Sequence, residues 1–191
     1  QLGREALGAK NISVHVMPKM ADFLKENGPW SQLISLGNIK LFQMVANESV
    51  NLKSEITVTP LLVPHRDEFS ETVGYRIQGP NKTVLFIPDI DKWSKWNENL
   101  KAILETVDYA FLDATFFDQE EINYRPLEEI PHPLVKETVA YLSPVSKELK
   151  NKVYFIHMNH TNPLLDPKSK ATQWVLSQGF HVARKGQQFR L

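Results

Sequence analysis

His65, Asp89, Asp113 and His157 each stand at or just past a run of apolar, β-forming residues, in "TPLLVPH", "VLFIPD", "YAFLD" and "VYFIH". In layered α/β folds the groups just beyond strand ends line the crevice where ligands bind. Imidazole nitrogens and carboxylate oxygens held by a rigid scaffold are the donors that a borderline divalent metal takes, zinc foremost, with iron or manganese also served. If the four strand ends converge, two histidines and one or two aspartates meet that requirement. The stretch "VYFIHMNHT" sets a geometric condition. On a strand His157 and His160, three residues apart, face opposite sides, so a pair acting together requires the chain to turn at Met158.

Each of these residues has a plain structural role open to it as well. Asp89 or Asp91 could cap a helix starting near Lys92. Asp113, followed by Ala-Thr, could close a strand by bonding backbone amides. His65, beside Arg66, Asp67 and Glu68, would suit an exposed loop, and His132, between prolines in "IPHPL", could fill the loop before a helix. His157 itself could be a hydrogen-bonded rim residue. His15 and His181 alternate with apolar residues in strands and are assigned no role. Other chemistries lack their first requirement: the chain has no G-x-S-x-G elbow, no glycine-rich phosphate loop and no H-E-x-x-H. With no cysteine, disulfides, thiolate zinc sites and cysteine nucleophiles are excluded together. Any metal must sit on His, Asp or Glu.

The elements that would position these groups follow from periodicity. "ISVHVMP" alternates as a strand and "KMADFLKENGPW" is an amphipathic helix stopped by Asn27, Gly28 and Pro29. "IKLFQMV", "SEITVTPLLVP", "ETVGYRIQG" and "TVLFIPD" are strands, with "GPNK" turning between the last two. "WSKWNENLKAILETV" predicts a helix, "DYAFLDATFF" a buried strand, and "HPLVKETVAYLSPVSKEL" a helix with Pro144 inside it. "KVYFIHMNH" is a strand, "DPKSKATQWVLSQG" a helix ending at Gly179, and "HVARKGQQFRL" a terminal hairpin. The order predicts one layered α/β domain over residues 1–191.

Charge sets the partners. Lys+Arg and Asp+Glu balance at 22 each, so no net field draws polyanions and no nucleic acid is implied. No apolar stretch approaches the ~18 residues that span a bilayer, and no signal-like segment opens the chain. The compartment stays open between cytoplasm and export, and a homodimer is compatible with the composition. "QLGREALGAKN" spaces Leu2, Ala6 and Leu7 as a helix would, which predicts a chain that begins within a helix, as a fragment or processed form.

Taken in order, these segments resemble the metallo-β-lactamase fold, and within it the branch that holds pyrroloquinoline quinone biosynthesis protein B, the phosphodiesterases of phosphonate breakdown and the long-form tRNA 3′-processing nucleases. "LLVPHRDEFSETVGYRI" is similar to the stretch where a metal-binding histidine precedes a Gly-Tyr strand, matching His65, Gly74 and Tyr75. "VLFIPDI" occupies the place of a Gly-Asp-Thr element whose aspartate bridges two metals; Asp89 matches, with Pro88 and Ile90 replacing its neighbours. "FLDATFF" resembles the element of an acidic residue followed by Ala-Thr or Gly-Thr, with Asp113 its acidic member, and "IPHPLVKETVAYL" the histidine-led helix entry, filled by His132. "VYFIHMNHTNPLLD" matches the stretch with the last metal histidine, His157, and its Asn-x-Thr-Asn-Pro-x-Leu-Asp wording points to the quinone-biosynthesis branch.

The resemblance implies an αββα sandwich incomplete at its N-terminal side, because the family's H-x-H-x-D-H element is not in this sequence. It also implies a zinc-, iron- or manganese-dependent hydrolase or oxygenase-like parent acting on a small anionic substrate. His65, Asp89 and His157 would be metal ligands, Asp113 and His132 would serve catalysis, and His160 and Asn162 would touch the substrate or support the ligands. The chain alone would be inactive. The rival expectation is a relative that has lost its metal site and survives as a binding or scaffold protein.

Overall fold

The computed structural model describes residues 8–52, 55–122, 126 and 129–191. The helix expected at the start of the chain falls mainly on residues 1–7, outside that set. The alternating stretch that follows forms β1 (Ile12–Val16), which pairs in parallel with β2 (Ile39–Gln43). Two helices cross between them, α1 (Pro18–Glu26) and α2 (Gly28–Ser35). Proline in a first turn lacks an N–H that would have been unpaired anyway, so Pro18 opens α1, and Asn27-Gly28-Pro29 both stops α1 and opens α2.

Among the described residues the second sheet has seven strands in sequence order: β3 (Val50–Asn51), β4 (Thr57–Leu62), β5 (Val73–Gln78), β6 (Thr83–Ile87), β7 (Tyr109–Asp113), β8 (Val153–Ile156) and β9 (His181–Val182). β3 to β6 form an antiparallel meander, and β6 to β9 are parallel. Two reversals return β4 to the direction of β6, so β4, β6, β7 and β8 all finish at the same end of the sheet. His65, Asp89, Asp113 and His157 lie at that end. Gly74 on β5 keeps the sheet tight there: a Cβ on it would lie 2.8 Å from Ile87 Cγ1 and 3.0 Å from the Phe86 carbonyl oxygen.

The three central strands are buried on both faces, as parallel strands covered by helices require. Leu85, Ile87, Ala110, Leu112, Val153 and Phe155 expose no surface, and each large side chain among them contributes about 1.5–3 kcal/mol of burial. Asp113 ends the β7 row and is just as buried.

Three predicted elements differ in the structure. The helix expected over 93–107 is a 3-10 turn at Trp93–Lys95 followed by α3 (Leu100–Glu105), because the Asn99 side chain accepts from the Lys101 and Ala102 N–H groups and starts a new helix. The helix expected over 132–149 is α4 (Val135–Tyr141) and α5 (Lys147–Lys150), with Pro144 between them and Ser146 capping the second. The terminal hairpin does not form. β9 pairs in parallel with β8, and the residues beyond it are not strand: Arg184 donates to the Leu164 and Leu165 carbonyls, and Phe189 packs edge-on against Tyr109, Phe111 and Tyr154. Helix α6 (Lys170–Ser177) is capped by Ser169 and closes at Gly179, φ +90°, as expected.

Candidate metal centre

The loops after β4 and β6 are tied by their backbones, Asp91 N–H donating to the Pro64 carbonyl at 2.7 Å. That bond sets His65 between two carboxylates. Its Nδ1 lies 3.1 Å from Asp91 Oδ1 in a hydrogen bond, and its Nε2 lies 3.2 Å from Asp89 Oδ2. Neither aspartate caps a helix: no side chain caps the turn after Lys92. The His65 side chain is only 13% exposed, so it is not a free loop group.

Asp113 organises the other half. Its Oδ2 accepts from Ile90 N–H at 3.1 Å and from His132 Nδ1 at 2.9 Å, and its Oδ1 accepts from the Thr115 N–H at 2.7 Å and the Thr115 hydroxyl at 2.6 Å. Both the strand-closing role and a role in the site are therefore present in one residue. His132 is delivered by α4, whose Val135 and Lys136 N–H groups donate to the Phe116 and Phe117 carbonyls, just beyond Asp113. Trp93 Nε1–H donates to Thr138 Oγ1 at 2.9 Å and Lys92 pairs with Glu137 at 2.6 Å, fixing α4 against the loop that carries Asp89 and Asp91.

His157 reaches the site by backbone conformation. Its φ is +59°, in the left-handed region that few non-glycine residues adopt and that histidine enters more readily than most. The chain thus turns at His157 itself, one residue before the expected Met158. The imidazole Nδ1 then lies 3.2 Å from the Thr115 hydroxyl and 3.9 Å from Asp113 Oδ1, with the side chain 46% exposed. His160 does not join it: it is exposed, with Nδ1 3.2 Å from Asn159 Oδ1. Asn162 is buried behind the site, donating to the Ala114 and Thr115 carbonyls and accepting from Leu164 N–H.

Two sets of possible ligand atoms result, His65 with Asp89 and His132, and Asp89 with Asp113 and His157, each set lying within 4.8 Å. Asp89 belongs to both. Asp89 Oδ1 is buried without a hydrogen bond, although His132 Nδ1 stands 3.2 Å away with its hydrogen directed at Asp113. In the tautomer whose Nδ1–H donates to Asp91, His65 Nε2 would present its lone pair to an Asp89 oxygen at 3.2 Å, an arrangement that a shared cation would relieve. Ligands on a tetrahedral zinc, at about 2.0–2.1 Å from it, sit about 3.4 Å from one another. The residues present fit a metal.

Without a metal the imidazoles offset part of the carboxylate charge. For His132 burial favours loss of the proton, but the hydrogen bond to Asp113, the 3.2 Å contact with Asp89, too poorly directed to be a hydrogen bond, and the charges of both carboxylates outweigh it and push the pKa to about 9. His157 is also raised, chiefly by the Asp113 carboxylate and also by the charge of Asp89, with burial and His132 opposing. Burial pushes Asp113 and Asp89 up, and the neighbouring imidazoles, with Thr115 at Asp113, more than reverse it, so both end below the usual carboxylate range.

Residues 3–158 match the profile of the Beta-lactamase superfamily domain. The chain belongs to this superfamily. Among curated relatives, coenzyme PQQ synthesis protein B of Nitrosococcus oceani is 24% identical over 149 residues, covering 72% of this chain and 45% of that protein. The protein of the same name from Xanthomonas campestris pv. campestris is 22% identical over 202 residues, covering 96% and 66%. The chain thus spans 45% to 66% of the length of these two relatives. The zinc-bound crystal structure of PqqB from Methylobacterium extorquens superposes with a TM-score of 0.77 at 20% identity, over 95% of this chain and 65% of that one. The superfamily fold is therefore shared, with PqqB-like proteins the nearest in kind among these. No helix among the described residues is long and apolar enough to cross a membrane.

Two residues of this superfamily member's site were not singled out from sequence as part of it. Thr115 is signalled only by Asp-x-Thr, a common turn pattern. Asp91, two residues after Asp89, is equally suited to capping, and its partner His65 lies on another loop.

Proposed function

We propose that this chain carries part of a PqqB-like metal centre, that of a zinc-dependent hydrolase acting on a small anionic substrate. One observation carries the reading: Asp89 is common to both potential ligand sets, and its Oδ1 is buried with no hydrogen bond. His65, Asp89 and His157 are the proposed ligands. Zinc is the proposed metal because the PqqB of Methylobacterium extorquens is zinc-bound; iron or manganese suits the same donors. A metal bound here would lower the pKa of a bound water and polarise a phosphoryl or carbonyl oxygen. Asp113 holds His132 by Nδ1, which leaves His132 Nε2 to exchange a proton with the substrate or to hold its anionic group. Asn162 supports the Asp113 to Thr115 turn from behind. His160 is proposed to meet substrate at the rim. The H-x-H-x-D-H element is not in these 191 residues, so the chain alone is proposed to bind metal without turnover.

A second reading, a binding or scaffold protein without metal, is favoured by one feature: His132 near a pKa of about 9 already offsets part of the charge of Asp89 and Asp113. Equilibrium dialysis against zinc followed by elemental analysis separates the two. Bound zinc that falls in His157→Ala, with unchanged far-UV circular dichroism, supports the metal centre. Zinc at background in the parent chain supports the scaffold.

A further inference from the structure

Beyond the ligands themselves, one side chain has its geometry accounted for only by what it does to another. Asp91 sits within a relay running Lys95, Asp91, His65, Asp89. Lys95 Nζ is 2.9 Å from Asp91 Oδ2, and Asp91 Oδ1 is 3.1 Å from His65 Nδ1. The carboxylate is 15% exposed and Lys95 57%, so the cation remains hydrated while the carboxylate is held. An ionised carboxylate only accepts hydrogen bonds. The hydrogen bond at this imidazole runs from Nδ1 to Asp91, whereas Nε2 meets Asp89 Oδ2 only as a 3.2 Å contact, so the bond to Asp91 places the proton on Nδ1 and leaves Nε2 facing Asp89.

We infer that Asp91, clamped by Lys95, is the positioning residue that fixes His65 in the Nδ1–H tautomer and presents Nε2 to the metal. This rests on the metal-centre reading above and names a residue that acts through a ligand. A carboxylate on the far nitrogen of a ligand imidazole sets both its ring orientation and its basicity, and losing it costs about 10–100-fold in metal affinity. The loop itself is held independently, by the backbone bond from Asp91 N–H to the Pro64 carbonyl. Removing the side chain therefore acts on the imidazole and leaves the chain path in place.

The test has two readouts. Long-range proton–nitrogen NMR of the metal-free chain reports which nitrogen of His65 is protonated, and a competition titration with a chromophoric chelator reports zinc affinity. The parent chain is expected to show His65 as the Nδ1–H tautomer at pH 8. Asp91→Ala is expected to mix the tautomers and weaken zinc by about 10–100-fold. Asp91→Asn, which keeps an accepting oxygen, is expected to restore the tautomer and part of the affinity. Lys95→Met, which removes only the exposed outer partner, is expected to weaken zinc by less than about fivefold. A His65 tautomer and a zinc affinity both unchanged in Asp91→Ala, in a parent chain that binds zinc, would overturn the positioning role alone. A parent chain that binds no zinc would overturn the metal reading and the metal-facing role with it, and the NMR would still show whether Asp91 sets the tautomer.

Discussion

Asp113 shows no exposed surface and yet is saturated with donors: two backbone amides, a hydroxyl and an imidazole. Burial of a charge at a strand end is tolerable because each lone pair is used. Asp113→Asn substitutes an amide NH2 for one acceptor, which faces it toward a donor; it is expected to cost about 1–3 kcal/mol and to return the His132 pKa from about 9 toward the ordinary histidine range, read by NMR titration of the metal-free chain. The same cluster gives stability a pH dependence of definite sign. His132 is raised on folding, so its contribution is complete below about pH 6.5 and is lost as pH rises through about 9. Urea unfolding of the chelator-treated chain should therefore show about 2–3 kcal/mol less contribution from this group at pH 9.5 than at pH 6. Asp89 and Asp113 are depressed, so their contributions hold above the carboxylate range and fade as pH falls below it. With zinc present the alkaline trend is expected to reverse, since ligand imidazoles must shed protons to bind. At this scale His65, Asp89, Asp113 and His157 are legible in the sequence because each closes an apolar run. Thr115 and Asp91 are not, because their meaning depends on which loops meet.

Elements bring those residues together through a few polar bonds between them. The loop after β7 is braced by Asn162, whose amide donates to the Ala114 carbonyl at 2.7 Å while its oxygen accepts from Leu164 N–H at 2.8 Å. Asn162→Ala leaves those groups unpaired in a buried place and is expected to cost about 1–3 kcal/mol in urea unfolding. It should also broaden the His157 resonances, because Thr115 bridges Asp113 and His157. Strand identity was readable from alternation and apolar runs, and the GPNK turn marked the hairpin between β5 and β6, while the long connection from β4 to β5 left their pairing to the structure. Helix ends were less readable. Asn99 and Ser146 start new helices inside stretches that look continuous, since capping by a side chain competes with continuation only when the following amides are free. The C-terminal hairpin failed for a different reason: pairing with β8 and the packing of Phe189 among Tyr109, Phe111 and Tyr154 satisfy that segment through distant partners.

The whole molecule is an assembly of same-direction strand ends over a buried parallel core, with its candidate metal-ligating side chains gathered at one end of the sheet. With 22 cationic and 22 anionic side chains and a pI near 7.2, self-repulsion vanishes near neutrality. Solubility of the chain is expected to pass through a minimum near pH 7 and to recover on either side, measured by precipitation with ammonium sulfate. What no single segment could reveal is convergence: residues 65, 89, 113, 132 and 157 are spread over about half of the chain, and only the sheet order places them together. The most direct measurement is zinc binding by the chain and by Asp89→Asn, followed by elemental analysis after dialysis and by chelator competition. Zinc retained by the parent and lost, or weakened by about 100-fold or more, in a variant with unchanged circular dichroism is the expected result. Equal zinc binding by the two proteins would contradict the role of Asp89 as the shared ligand.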